Sequence, residues 1–145
     1  IRDFIMKISR IAGGLIFCLT LVSSPAQANH SYPPLSVLLS SSVSTIGQNI
    51  SYPVGPAKIT AAIVTMQPGQ KTGWHKHEVP LFAYIMEGQL SVDYGSVGVK
   101  IYHAGDSFIE AFSTEHNGEN TGREIVRIMA VFAGSQNIPN TIMEK

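Results

Sequence analysis

His75 and His77 lie two residues apart within the stretch from Gly73 to Gly88, GWHKHEVPLFAYIMEG. Imidazole is the commonest protein ligand for transition metals and the side chain that moves protons near neutral pH. On a β-strand successive side chains point to opposite faces, so residues 75 and 77 share a face and can reach one point. A helix would splay them apart, and helical zinc motifs use a four-residue interval. Pro68-Gly69 upstream and Pro80 downstream bound a short extended segment around the pair.

A second cluster runs from Gly105 to Asn120, GDSFIEAFSTEHNGEN. Together the two stretches resemble the paired motifs of the cupin superfamily. Gly69, His75, His77 and Gly88 match the first motif in its shorter spacing, with Leu81 where that motif carries a glutamate. Gly105, His116 and Asn120 match the second, with Ala111 and Ser113 in place of its proline and glycine. The resemblance covers residues 57–133 and implies a jelly-roll barrel, a double-stranded β-helix. It also implies that His75, His77 and His116 converge on one divalent metal inside it. Imidazole ligands suit iron, manganese, nickel, copper and zinc, so the identity of the ion stays open. Only neutral imidazole coordinates, so binding should weaken on acidification around the ordinary histidine value of ~6.5.

Leu81 cannot coordinate. The site is therefore either three bare histidines or three histidines with a carboxylate from elsewhere, for which Glu110 is the substitute. The alternation Asp106, Phe108, Glu110 puts it on one face of a short strand leading toward His116. Beside Phe108 and Phe112 such a carboxylate loses hydration unless a cation compensates, and it can act as metal ligand or general base. Glu78, next to His77, belongs on the opposite face, at the rim. His103 sits by the Ala104-Gly105-Asp106 turn and reads as solvated; His30 lies in a leader.

The elements that position these residues read as short strands separated by turn signals. Lys58–Met66 is rich in β-branched residues; Leu81–Met86, Leu90–Tyr94, Val97–Tyr102, Ser107–Glu110, His116–Asn120 and Glu124–Phe132 follow. Ser36–Thr45 is expected as an edge strand, and residues 134–145 as a tail. No helix-period segment interrupts the series after residue 28, so the pattern itself gives an all-β sandwich or barrel of one domain.

Residues 1–28 read as a signal peptide. Lys7 and Arg10 precede the apolar run Ile11–Val22, and Ala26-Gln27-Ala28 offers a small-x-small cleavage site, with Met6 the expected start. The run is shorter than the ~20 residues that span a bilayer. Cleavage also removes Cys18, the sole cysteine, so the exported chain has neither disulfide nor thiolate ligand, which suits a periplasm. Residues 29–56 then form a leader and edge strand ahead of the barrel. Ten basic residues balance ten acidic ones, which argues against a nucleic-acid partner or an anionic membrane surface.

Two functions fit. One is a metal-dependent enzyme, a dioxygenase or a related activity among those the family implies, acting on a small organic substrate. The other is a non-catalytic periplasmic module that binds a metal or small ligand. The absence of a helix-turn-helix disfavours a DNA-binding regulator. The family also implies a homodimer, with Trp74 and Tyr84 on the face opposite the ligands.

Overall fold

Val126–Ser135 is the strand on which the larger sheet is built. Val126, Ile128 and Ala130 are buried while Arg127, Met129 and Val131 are less so, the period-two pattern of a strand with one face on a core. The structure, a computed structural model, describes residues 33–144. The expected signal peptide and His30 lie outside the described residues. From Leu35 onward the chain forms one unit.

Its strands are β1 (Ala57–Met66), β2 (His75–Lys76), β3 (Leu81–Glu87), β4 (Gln89–Asp93), β5 (Val99–His103), β6 (Ser107–Ile109), β7 (Asn117–Asn120), β8 (Val126–Ser135) and β9 (Ile142–Met143). One sheet has the order β1-β8-β3-β6, a second β5-β4-β7, and β2 pairs with β9. Every pairing is antiparallel. Bridges His75–His116 and Lys71–Glu119 tie the segment around β2 to that around β7. This is an all-β jelly-roll barrel, and between its layers lies a core that includes Met66, Ile85, Val92, Tyr102, Phe108 and Val126. The Tyr102 and Phe108 rings stack at 3.7 Å.

Three local expectations give way. Ser36–Thr45 forms no strand; only an isolated Val43–Asn49 bridge occurs there. Serine hydroxyls compete for the local backbone, and Ser41 Oγ both donates to Val43 O and accepts from Val43 N–H. The segment is instead pinned to β6, through Thr45 N–H to Ile109 O and Ser107 Oγ to Leu38 O. Second, residues 134–145 are not a tail: β8 runs on to Ser135, and β9 returns to pair with β2. Third, β2 stops at Lys76, so His77 lies just beyond the strand. There its carbonyl accepts the Ser113 N–H at 2.7 Å, a bond to the loop between β6 and β7 in place of a ladder bond.

The glycine ending the first motif is required sterically. Gly88 has φ +77°, and a Cβ there would stand 2.5 Å from Ile125 O. Left-handed strain and a backbone clash add, so Gly88→Ala should cost about 2–3 kcal/mol. Urea denaturation that shows no loss in the midpoint would contradict this reading.

Candidate metal centre

Backbone geometry brings the three histidines together. The bridge between His75 and His116 exchanges both N–H···O bonds, at 3.0 and 2.9 Å, and so sets these residues side by side. His77 follows two residues after His75. Ring centroids are 4.4 Å apart for His75–His116, 4.9 Å for His75–His77 and 5.1 Å for His77–His116. One nitrogen from each ring lies within 4.8 Å of the others, and all three residues are buried.

The hydrogen bonds on the far side of each ring decide the tautomers. His75 Nδ1 bonds Gly73 O at 2.8 Å, His77 Nδ1 bonds Asn140 O at 2.8 Å, and His116 Nδ1 bonds Thr114 O at 2.9 Å. A carbonyl only accepts, so each Nδ1 carries the proton and each Nε2 presents a lone pair. His116 Nε2 is buried without any hydrogen-bond partner, a costly arrangement unless something else occupies that lone pair. Burial also lowers the pKa of His75 and His116, and that of His77 to about 4, so the rings are neutral at pH 7. Neutral, oriented imidazoles backed by carbonyls are the donor set of a transition-metal site. The residues present fit one divalent transition-metal ion.

Glu110 follows β6 and continues its pairing, its N–H donating to Leu81 O at 2.8 Å. Of the expected face Asp106, Phe108 and Glu110, Phe108 and Glu110 are buried and line the same cavity as the histidines, whereas Asp106 precedes the strand, is exposed and accepts the His103 N–H in the turn. Glu110 Oε1 accepts hydrogen bonds from Tyr94 Oη and Ala111 N–H, each at 2.7 Å. Its Oε2 lies 3.9 Å from His116 Nε2, beyond hydrogen-bond reach, and with His116 neutral the contact is not an ion pair. Burial pushes the Glu110 carboxyl up to about 7, against the opposing pull of the Tyr94 and Ala111 bonds.

The remaining sequence candidates sort as follows. Leu81 is buried in the cavity wall, at the position of the usual glutamate. Phe108 walls the cavity but Phe112 does not. His103 is exposed and stands 3.8 Å from Asp106, away from the site. Glu78 accepts a hydrogen bond from Ser113 Oγ at 2.6 Å. Ser113 is the one non-glycine residue with positive φ, 50°, among the described residues, and it occupies the place of the motif glycine. Asn120 works as a clip: its Nδ2 donates to Met66 O and Glu124 O, and its Oδ1 accepts from Gly122 N–H.

A model of the family described as "Cupin domain" matches residues 62–132. The chain belongs to the cupin superfamily. Among solved structures it is similar to the oxalate decarboxylase of Lactobacillus farciminis in a formate complex, with 28% identity, a TM-score of 0.51, and coverage of 59% of this chain and 26% of that one. It is also similar to an oxalate oxidase, with 25% identity, a TM-score of 0.51, and coverage of 59% and 45%. The chain thus spans between a quarter and a half of the length of these relatives. No curated protein sequence matches it.

In this cupin the C-terminal strand belongs to the metal centre, which sequence reasoning missed. Asn140 supplies the carbonyl that orients His77, Thr141 Oγ1 lies 3.3 Å from the same Nδ1, and Thr141 and Met143 line the cavity. Lys76 and Glu144 close the β2–β9 pair at 3.1 Å. Thr141-Ile142 after Pro139 was the available signal, too short to mark a strand. Loss of the groups that orient a liganding histidine typically costs ~10–100-fold in metal affinity. Ending the chain at Asn137 should have an effect of that size, read by competition with a chromogenic chelator. Unchanged affinity would remove β9 from the site.

Proposed function

We propose that this cupin is an exported metal-dependent enzyme acting on a small organic substrate, with dioxygenase or related chemistry. The observation that carries the reading is the set of three Nε2 lone pairs facing a cavity that also holds one buried carboxyl, Glu110. We take His75, His77 and His116 as the ligands, with Glu110 as fourth ligand or acid–base group. Three protein ligands leave coordination positions for substrate or water. A bound divalent ion supplies Lewis-acid or redox chemistry there. Glu110 complements it: Tyr94 and Ala111 hold Oε1, so Oε2 is the atom that can carry or give up a proton beside His116. A value raised to about 7 suits proton transfer near neutral pH. The similar solved structures are, by name, an oxalate decarboxylase and an oxalate oxidase, which supports an enzymatic use of the site.

Metal analysis followed by oxygen uptake tests the proposal, with phenolic, thiol and dicarbonyl compounds on the loaded chain. Uptake that disappears in Glu110→Gln supports it. Bound metal with no turnover of any kind favours the non-catalytic binding module, the reading to which Leu81 at the glutamate position lends weight. Export is tested by N-terminal sequencing of secreted protein, expected to begin at Asn29. Pairing as a homodimer is tested by light scattering; Trp74 is exposed and Tyr84 half-buried, leaving apolar surface for a second copy.

A further inference from the structure

We infer that the site takes a small ligand with one metal-binding donor group and an apolar body, and disfavours a compact dianion such as oxalate. The inference rests on the metal-site reading above and concerns the rest of the same cavity. Its volume is about 230 Å³, and an apolar cavity of ~150 Å³ already accommodates benzene. One ring with a small substituent therefore fits.

The wall is hydrocarbon, including Leu81, Ala83, Phe108, Ile128, Ala130 and Phe132. It begins at the ligands themselves: the Phe132 ring stands edge-on to His77, with centroids 5.4 Å apart. Apart from the histidines, the polar side chains facing the cavity are Thr72, Thr141 and Glu110. No lysine or arginine lines it among the described residues. Lys71 pairs with Glu119 and Lys76 with Glu144, each at 3.1 Å, while Lys100 bonds Thr45 O, and none of the three lines the cavity. Oxalate could chelate the metal through one oxygen of each carboxylate, but its two outer oxygens, which still carry charge, would then meet hydrocarbon with no lysine or arginine to replace their water. The one ionisable acid nearby, Glu110, adds repulsion when it is charged. A ring or branched alkyl group meets none of these costs and displaces water from apolar surface.

The test is calorimetric titration of the cobalt(II)-loaded full chain at pH 7.5 with 4-methylphenol and with oxalate, following the cobalt absorption bands in parallel. We expect 4-methylphenol to bind at least about tenfold more tightly, with a negative heat-capacity change. Phe132→Ala should weaken it by at least about fivefold and leave oxalate unaffected; Ile128→Ala replaces that variant if it fails to fold. Oxalate binding as tightly as 4-methylphenol, or more tightly, overturns the inference. If the chain retains no cobalt, the metal reading fails, and the metal-free chain is titrated instead. Binding of 4-methylphenol that Phe132→Ala abolishes would then uphold the apolar assignment, and absence of binding would overturn it.

Discussion

Replacing His77 with alanine should remove bound metal, lowering affinity by more than about 100-fold, beyond what loss of an orienting group costs. His103→Ala should change nothing, because that ring is exposed and away from the cavity. Metal content after dialysis reads both, and equal losses would show that the wrong histidines have been assigned. The pH profile gives a second check. Burial lowers the values of all three ligand histidines below the ordinary 6.5, that of His77 to about 4. Protons therefore compete with the metal only in more acid solution than an exposed histidine would allow. Metal should stay bound at pH 6 and be lost as the pH falls toward 4. Loss centred near 6.5, the value expected from sequence, would mean that the rings are hydrated rather than buried.

Glu110→Gln should change how the stability of the metal-free chain depends on pH. The Glu110 carboxyl rises from 4.5 unfolded to about 7 folded, chiefly through burial. A raised folded value means that its contribution is fully present below pH 4.5 and is lost as the pH rises through 7. The size of that loss is on the order of 3 kcal/mol. His77 acts in the opposite sense. Its value falls from 6.5 to about 4, so its contribution is present above 6.5 and is lost as the pH falls through 4. In the wild type the two slopes oppose each other between pH 4.5 and 6.5. Glutamine keeps the shape of the side chain and does not titrate, so only the histidine slope remains. Between pH 4.5 and 7.5 the variant should gain about 3 kcal/mol more than the wild type, measured by urea denaturation in the presence of a chelator. Parallel curves would show that the carboxyl is hydrated and has no part in the site.

Much of this site is legible along the chain because strands write their faces locally. The alternation that buries His75, Leu81 and Ala83 while leaving Trp74 exposed is visible in the sequence. The same period places Phe108 and Glu110 on one face, and the Gly105–His116–Asn120 spacing points to the second half of the centre. The chain does not show which distant segment supplies each partner. His77 owes its orientation to Asn140, 63 residues on, through a strand of two residues that no local periodicity can announce. Glu110 owes its raised value to burial, and Tyr94, whose hydrogen bond opposes that rise, comes from just beyond β4. Ser36–Thr45 has the composition of a strand but bonds its own serines and meets the edge strand β6 only through Thr45 N–H and Leu38 O. Residue type and spacing determine which side chains share a face, since that follows from the geometry of one strand. Register between segments far apart in sequence determines which carbonyl meets which imidazole and which carboxyl loses its water, and only the packed barrel sets that register.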